Sequence, residues 1–377
     1  MPDATDRHAQ DHNTGKGRSA GACTVAQLDE FDEIIDVRSE DEFAEDHIPG
    51  AINLPVLNNA ERAQVGTIYK QASSFDAKKI GAALVSANIA RHLRERLLDR
   101  PRQWRPLVYC WRGGGRSGAL AEVLTQIGWR VGRLDGGYKA YRRTVIDELQ
   151  VLPARHDWRV ICGMTGTGKS RLLRALQAQG AQVLDLEELA AHRGSVLGTL
   201  PDAAQPAQKL FESRVWHALK HLAPDRPVFV ESESRKIGAL RVPATLIDAM
   251  WQSICVVIEA PIAVRVSLLK EEYAHFLEDA ALLNTQLDCL RALHGNAVID
   301  EWQALARAGH WERLTEDLLV RHYDPAYLRA ITSHYPRLPQ AVRLALPANT
   351  TAAMEHLAHA VIAGLAAHPA ARAVQRN

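Results

Sequence analysis

The chain alternates between short apolar runs and longer stretches in which apolar residues recur at helical spacing. In the first part, the runs at 34–37, 107–109 and 131–134 predict buried strands, and residues 82–98 and 117–127 predict helices. Strands that alternate with helices are typical of α/β folds with mostly parallel sheets. We therefore predict such a fold for this part of the chain.

The same alternation restarts after a polar segment at 153–157, which we interpret as a linker. A helix is predicted at 169–179, and strands are predicted at 158–162, 183–184, 227–230 and 253–258. From about Ala263 onward the pattern is helical, and it ends in an alanine-rich stretch at 350–373. The second part is therefore also expected to be α/β, with a helical C-terminal part.

Length agrees with two domains, because 377 residues are enough for two separate cores. We expect a disordered tail at 1–24, a first domain at 25–150, and a second domain with its helical extension at 151–377. The predicted boundary lies near residue 150.

Composition excludes several classes of protein. The net charge of +1 gives no overall field that attracts nucleic acid, so any RNA must be held by local basic patches. No run of about 18 apolar residues predicts a membrane span, and the polar N-terminus lacks the apolar core of a secretory signal. Five scattered cysteines match neither a disulfide framework nor a zinc site, so we expect a cytoplasmic protein.

A cysteine-containing loop is the sharpest feature of the first part. Cys110 follows the apolar run at 107–109, and a glycine-rich segment leads from it into the next predicted helix. The N–H groups of such a loop and the N-terminus of the helix form an anion-binding cradle, which lowers the pKa of a thiol. The predicted cradle residues are Arg112, Gly113, Gly114, Gly115, Arg116 and Ser117. The alternative is a buried structural cysteine, so a nucleophilic role requires that the thiol be reachable.

The second part opens with a phosphate-binding loop. Residues 163–170 satisfy the pattern G-x4-G-K-[ST], after a predicted strand and before a predicted helix. The N–H groups of such a P-loop bind a diphosphate, Lys169 would neutralise it, and Ser170 would ligate Mg²⁺ if a metal is bound. The predicted diphosphate-binding residues are Gly163, Thr165, Gly166, Thr167, Gly168, Lys169 and Ser170.

Two residues are candidates for the acidic partner of this loop. Asp185 and Glu231 each stand at the end of a predicted strand, where an acid holds a metal or acts as an acid or base. The alternative for each is a solvated turn acid or a helix cap. Arg265 is a weaker candidate for a phosphate contact of the kind seen in small-molecule kinases, and its alternative is a surface helix residue.

Segments around the cysteine loop resemble the rhodanese-type sulfurtransferases. The similar segments are 35–39, 47–55, 109–118 and 134–141, and together they cover about residues 25–145. The resemblance implies a rhodanese-like parallel-sheet domain in which Cys110 carries a persulfide or perselenide. The spacing Cys-x5-Arg is one residue longer than in common sulfurtransferases and matches the related phosphatase branch. A phosphatase joined to a small-molecule kinase therefore stays open as the alternative function.

The order of the two motifs on one chain resembles the tRNA 2-selenouridine synthase family. Further similar segments are 56–71, 185–187, 191–195 and 231–238, and the likeness weakens after about residue 300. The resemblance implies an enzyme that transfers a geranyl group from geranyl diphosphate to the sulfur of 2-thiouridine at the tRNA wobble position. It then replaces the S-geranyl group with selenium from selenophosphate, which Cys110 would receive and deliver.

The resemblance also bears on partners. The P-loop would bind the diphosphate of the geranyl donor, and whether ATP is bound stays open. Arg193, Arg235 and Lys236 are candidate contacts to the tRNA, with an ordinary solvated surface as the alternative. The target base lies in the single-stranded anticodon loop, where unstacking costs little. An apolar pocket beside the P-loop must accept the ten-carbon chain, and no sequence pattern locates it.

Overall fold

Residues 20–367 are described by the computed structural model, and the chain divides into two units between Thr144 and Val145. Most of the tail expected at 1–24 lies outside the described residues. The prediction of disorder is wrong for the last part of this tail, because Gly21–Cys23 form a strand that pairs in parallel with Gly132–Leu134. Ordered structure therefore begins before residue 25.

The first unit contains one five-stranded sheet flanked by helices. Its strands are β1 (Gly21–Cys23), β2 (Glu33–Asp36), β3 (Ile52–Asn53), β4 (Pro106–Tyr109) and β5 (Gly132–Leu134). Its helices are α1 (Glu40–Glu45), α2 (Asn59–Gln71), α3 (Ser74–His92), α4 (Gly115–Ile127) and α5 (Gly137–Leu149, of which residues 137–144 belong to this unit), with a 3-10 helix at Val25–Glu30 and a π-helical segment at Leu93–Leu97. The strand order is β1-β5-β4-β2-β3, and every neighbouring pair is parallel.

The central strand of this sheet positions the cysteine loop. All four residues of β4 are buried, which explains the continuous apolar run, since a parallel strand covered on both faces has no polar side. The carboxyl end of β4 leads directly into Cys110, and in open α/β sheets ligands bind at the carboxyl ends of strands.

The second unit contains another five-stranded parallel sheet. Its strands are β6 (Asp157–Cys162), β7 (Gln182–Leu184), β8 (Pro227–Glu231), β11 (Ile254–Glu259) and β12 (Val342–Ala345), in the order β12-β11-β6-β8-β7. A separate antiparallel pair is formed by β9 (Lys236–Ile237) and β10 (Leu240–Arg241).

Helices make up most of the rest of this unit. Those around the sheet are α6 (Lys169–Ala178), α7 (Leu186–Ala190), α8 (Gln208–His221), α9 (Ala244–Trp251) and α10 (Ile262–Glu272), with a 3-10 helix at Leu152–Arg155. The later helices are α11 (Ala274–Glu278), α12 (Ala280–Asp288), α13 (Arg291–His294), α14 (Asn296–Arg307), α15 (Trp311–Leu318), α16 (Asp324–His334) and α17 (Thr351–Ala367), with a π-helical segment at Leu319–Tyr323 and a 3-10 helix at Leu338–Gln340. Within residues 20–367, no helix combines the length and apolar character needed to cross a membrane.

The prediction that the chain is helical from Ala263 onward is wrong at one place. Strand β12 pairs in parallel with β11 and forms an edge of the second sheet. Its residues alternate between half-buried and exposed, so no continuous apolar run marks it in the sequence. The alanine-rich stretch forms α17 up to Ala367, and its last residues, 368–373, lie outside the described part.

Candidate active sites

The cysteine loop is held in place by residues 135–138, the glycine-containing segment that follows β5. Gly137 has a φ of +58°, and a Cβ atom there would lie 2.3 Å from the carbonyl oxygen of Cys110. Gly113 has a φ of +68°, and its Cβ would lie 2.7 Å from the carbonyl oxygen of Leu134. The backbone N–H of Tyr138 donates to the Cys110 carbonyl at 2.8 Å. Glycines at 113 and 137 are therefore required for the two segments to approach this closely.

The thiol of Cys110 lies among hydrogen-bond donors. Its Sγ is 3.2 Å from the Oγ of Ser117, which is itself buried. Burial acts to raise the pKa of Cys110, but hydrogen bonds from Ser117 and from the Arg112 N–H, together with the charge of Arg116, lower it overall. The loop therefore favours the thiolate, the form that acts as a nucleophile.

Cys110 is only 4% exposed, which is less than a readily accessible nucleophile requires. Its thiol is buried and contacts the Ser117 hydroxyl. Gly114 and Gly115 are exposed, and a Cβ atom at either position would meet no atom within 4 Å. The open side of the loop is therefore at these two glycines, and a ligand small enough to enter there is needed to reach the sulfur.

The two arginines predicted to hold an oxyanion have different surroundings. Arg116 pairs with Glu42 at 2.8 Å, and Glu42 also pairs with Arg62 at 2.9 Å. Burial acts to raise the pKa of Glu42, but these arginines lower it overall, so the carboxylate is ionised at neutral pH. Arg112 is exposed. Arg116 must therefore leave or share its pairing with Glu42 to contact a bound anion.

The P-loop of the second unit connects β6 to α6. Gly166 and Gly168 have φ angles of +79° and +75°, which favour glycine. A Cβ atom at Gly163 would lie 2.5 Å from the Oγ1 of Thr167. Thr167 is buried, and its hydroxyl donates to the Met164 carbonyl at 2.9 Å. Contacts made by Gly163 and Thr167 within the loop therefore fix its conformation.

Arg265 holds the backbone of this loop, and its alternative interpretation as a surface helix residue is wrong. It is 4% exposed, so it is not a surface residue. Its Nε donates to the Thr165 carbonyl at 2.8 Å, and its Nη1 donates to the Asp324 carboxylate at 2.9 Å. With these partners the guanidinium holds the backbone of the P-loop, and no phosphate contact is needed to explain it.

Three carboxylates converge beside Lys169 and Ser170. Oxygens of Glu187, Glu231 and Glu233 all lie within 4.8 Å of one another, and we call this set the acid trio. The Ser170 hydroxyl donates to Glu187 at 3.0 Å. Glu231 is 4% exposed, and its Oε1 has no hydrogen-bond partner. A buried carboxylate oxygen without a partner is costly, so this site calls for a cation or a proton.

The acid trio changes the titration of the whole site. Burial and the neighbouring carboxylates raise the pKa of Glu187 to about 9 and that of Glu233 to about 7. Burial also raises the pKa of Glu231. Burial acts to lower the pKa of Lys169, but Glu231, Tyr327 and the other two acids raise it overall, so the ammonium stays charged.

Only one of the two acids predicted from sequence belongs to the trio. Glu231 does, whereas Asp185 caps α7 by accepting from the Glu188 N–H at 2.9 Å, which was the alternative interpretation. Glu187 and Glu233 were missed. Each lies two residues beyond a predicted acid, and the alternating acids of Asp185-Leu186-Glu187 and Glu231-Ser232-Glu233 were the signal that would have found them.

One large cavity in the second unit gathers most of the predicted residues. It measures about 1090 Å³, and its lining includes Thr165, Gly166, Gly168, Lys169, Ser170, Asp185, Arg193, Glu231, Arg235 and Lys236. The guanidinium of Arg193 is 4.9 Å from the ring of Tyr273, and that of Arg235 is 4.6 Å from the ring of Trp251. Arg235 and Lys236 are exposed, whereas Arg193 is half-buried. The three candidate tRNA contacts therefore line the same cavity as the P-loop.

Comparison with known proteins follows the same division of the chain. Residues 23–144 match the family model of the rhodanese-like domain, and residues 156–286 match that of the tRNA 2-selenouridine synthase AAA domain. The chain is 34% identical to the tRNA 2-selenouridine synthase of Aeromonas salmonicida over 81% of its own length and 89% of that protein. The chain belongs to the tRNA 2-selenouridine synthase family. The predicted fold class, a rhodanese-like domain followed by a P-loop-like α/β domain with a helical C-terminal part, is confirmed.

Other relatives of this chain in the tRNA 2-selenouridine synthase family match a shorter stretch. The enzyme of Nitrosomonas europaea is 37% identical over 64% of this chain, and the match spans 63% of that protein. That of Hydrogenovibrio crunogenus is 37% identical over 66% of this chain and 72% of that protein. Among solved structures, a rhodanese-related protein from Thermoplasma volcanium is 22% identical over 34% of this chain and 92% of that chain, with a TM-score of 0.21.

Proposed function

We propose that this chain is a tRNA 2-selenouridine synthase that acts on 2-thiouridine at the wobble position of tRNA in the cytoplasm. In the first reaction the sulfur of the base forms a bond to C1 of geranyl diphosphate, the C1–O bond breaks, and diphosphate leaves with the electron pair. In the second, the selenium of selenophosphate bonds to C2 of the base, the C2–S bond breaks and the geranyl thiol leaves. Water then cleaves the Se–P bond, which releases phosphate and leaves selenium on the base. Family membership supports the overall conversion, and the two loops support the division of labour.

The observation that carries the first reaction is the P-loop beside the acid trio. Its backbone amides and the charged Lys169 suit the diphosphate group, whose developing negative charge the ammonium stabilises. Carboxylate and hydroxyl oxygens are the donors that Mg²⁺ prefers, and the buried Oε1 of Glu231 has no protein partner. The acid trio and Ser170 therefore fit Mg²⁺ as its ligands. Bound there, Mg²⁺ would offset charge on the departing diphosphate.

The second reaction is assigned to the cysteine loop. The lowered pKa of Cys110 supports a thiolate there, and the glycine-lined opening suits a small tetrahedral anion such as selenophosphate. In this proposal the selenium donor is bound at the loop formed by Cys110, Arg112, Gly113, Gly114, Gly115, Arg116 and Ser117. The tRNA is held in part by Arg193, Arg235 and Lys236.

Nucleoside analysis of tRNA tests this proposal. Cells that lack the protein are complemented with the wild type, Cys110→Ala or Lys169→Ala, and Cys289→Ala, an exposed cysteine, serves as the matched control. We expect Cys110→Ala to accumulate geranylated or thiolated base, and Lys169→Ala to leave 2-thiouridine. The Cys289→Ala cells should contain normal 2-selenouridine. Normal 2-selenouridine in the Cys110→Ala or Lys169→Ala cells would overturn the proposal.

A phosphatase joined to a kinase is the second candidate, because Cys110 and Arg116 have the Cys-x5-Arg spacing. The structure weakens it. Glu42, which pairs with Arg116 at the loop, has a lowered pKa and is ionised at neutral pH, so it is not a proton donor for a leaving group. Release of phosphate from p-nitrophenyl phosphate by the whole chain, lost in Cys110→Ala, would favour this alternative.

A further inference from the structure

A second, smaller cavity lies among the helices that follow the sheet of the second unit. It measures about 70 Å³ and is lined by side chains from the P-loop, the loop after α7, α10, α11, α12, α15 and the π-helical segment after α15. Its apolar lining consists of Leu197, Leu269, Phe276, Leu277, Leu283, Trp311, Leu314, Leu318 and Leu319. Interiors of folded proteins are close-packed, so an apolar void of this size calls for an explanation.

This apolar cavity adjoins the P-loop cavity. Both are lined by Thr165, Ser195, Leu269, Tyr273 and Tyr323. Four of these five shared residues carry a hydroxyl group, and the Ser195 and Tyr273 hydroxyls are 3.2 Å apart. The rest of the smaller cavity's lining is mainly leucine, phenylalanine and tryptophan, with Lys270 and Thr315 as its other polar residues. Polarity therefore falls from the phosphate-binding loop into the smaller cavity, which matches a ligand with an anionic head and an apolar tail.

The wall of the cavity also contains an irregular element. Leu319 and Tyr323 are the first and last residues of the π-helical segment Leu319–Tyr323. π-Helical turns are rare in proteins, and many of those that occur lie at functional sites. The wider turn redirects side chains at a cost in backbone stability. Here it presents both residues to the cavity.

We propose that this cavity binds the far end of the hydrocarbon chain of the diphosphate substrate, and so selects its length. The inference rests on the proposed function, which assigns geranyl diphosphate to the P-loop. At about 10–15 Å³ for each water molecule, a cavity of about 70 Å³ has room for about five to seven waters, which is roughly the space of one five-carbon isoprene unit. The diphosphate lies on the P-loop, the first isoprene unit passes Thr165, Leu269 and Tyr273, and the second enters the cavity.

The test compares binding of geranyl diphosphate with binding of inorganic pyrophosphate, measured by calorimetry on the whole chain in the presence of Mg²⁺. Leu277→Trp fills the cavity from a half-buried position, and Leu318→Ala enlarges it. Leu293→Trp, at a leucine that is 65% exposed and outside the lining, is the matched control. Farnesyl diphosphate, which is one isoprene unit longer, probes the length limit.

Burial of five carbons predicts that the wild type binds geranyl diphosphate at least about tenfold more tightly than pyrophosphate. Leu277→Trp should lose most of this preference while its affinity for pyrophosphate is unchanged, and Leu293→Trp should behave as the wild type. Leu318→Ala should shift the preference towards farnesyl diphosphate, which keeps the test informative if the tryptophan variant does not fold.

The possible failures are distinguishable. If the wild type binds pyrophosphate and geranyl diphosphate equally well, the assignment of a geranyl donor in the proposed function is wrong, and this inference falls with it. The cavity is not the tail site if the wild type prefers geranyl diphosphate to pyrophosphate, Leu277→Trp keeps that preference, and Leu318→Ala binds geranyl and farnesyl diphosphate in the same ratio as the wild type. The proposed function would then still stand.

Discussion

The loop at Cys110 and the loop at Lys169 are built alike, from a buried parallel strand, a glycine-rich turn and the N-terminus of a helix. Their surroundings have opposite charge. The first loop lowers the pKa of its thiol through hydrogen bonds and the charge of Arg116, although burial acts to raise it. The second loop faces three carboxylates, two of which have pKa values of about 9 and about 7. The same backbone device therefore serves a site that stabilises an anion and a site that needs cations.

The difference shows what each loop depends on. In the first unit, Gly113 and Gly137 allow the cysteine loop and the segment after β5 to touch, so backbone contact holds the site together. In the second unit, Arg265 and Tyr327 hold the P-loop backbone, and the charge balance depends on what enters the cavity. We therefore expect the structure of the cysteine loop to be most sensitive to changes in its backbone. The P-loop site should be most sensitive to changes in its charges.

Substitution of Gly137 by alanine should have the largest effect on stability. The new Cβ would lie 2.3 Å from the Cys110 carbonyl at a φ of +58°, so we expect a loss of about 2–4 kcal/mol in the free energy of unfolding. Urea denaturation measures this loss. Gly115→Ala is the control, because its Cβ meets no atom within 4 Å at the first position of α4. Equal stability of the two variants would contradict the dependence on backbone contact.

Stability of the second unit should fall as the pH rises above neutral. The folded pKa of Glu187, about 9, exceeds its ordinary value of 4.5, so the folded state keeps a proton that the unfolded state has lost. The stability from this proton is complete below pH 4.5 and is lost as the pH approaches 9. Without divalent cations, we expect the melting temperature to drop by about 3 °C or more between pH 6 and pH 9.

Calorimetry with and without Mg²⁺ measures this drop. Glu187→Gln should reduce it, because the amide has no proton to lose, and Mg²⁺ should reduce it in the wild type. The affinity for Mg²⁺ should itself rise with pH, since the ion competes with the protons of Glu187 and Glu233. An identical pH dependence in the wild type and Glu187→Gln would contradict the titration of the acid trio.

Removal of the Ser117 hydroxyl should have a smaller effect, confined to the thiol. Loss of its hydrogen bond to Cys110 raises the pKa of the thiol, and a bond of about 1 kcal/mol corresponds to about a fivefold lower thiolate fraction. The pH profile of alkylation by iodoacetamide at Cys110, followed by peptide mass spectrometry, measures this shift in Ser117→Ala. Cys289, which is exposed, is the internal reference. An unshifted profile at Cys110 would show that the hydroxyl does not stabilise the thiolate.

The smallest effect is expected at the rim of the large cavity that contains the P-loop. Arg235→Ala or Lys236→Ala should weaken tRNA binding and reduce the slope of log affinity against log salt by about 1, as for the loss of one phosphate contact. Arg307→Ala, an exposed arginine of α14 outside the cavity lining, should leave the slope unchanged. If Arg307→Ala changes the slope as much as the rim variants do, the rim has no special part in RNA binding.

Local patterns in the sequence predicted the features that are themselves local. Continuous apolar runs located β4, β6 and β8, and glycine motifs located both loops, because each is specified by consecutive residues. Only one member of the acid trio, Glu231, was predicted, since Glu187 and Glu233 meet through the pairing of β7 with β8. The burial of Arg265 was missed because its partner, Asp324, is distant along the chain. Edge strand β12 was not predicted, because only alternate residues of this strand pack inward.

The P-loop has a tether far along the chain from its own motif. The N–H of Gly163 donates to the Tyr327 hydroxyl at 2.7 Å, and Arg265 reaches Asp324. Both tethers lie in α16, well beyond residue 286, where the match to the AAA-domain family model ends. A fragment cut at 286 would keep every letter of the motif but lose Tyr327, which anchors its first residue, and Asp324, which holds the arginine that anchors its third residue. The smallest autonomous version of this site therefore extends through α16.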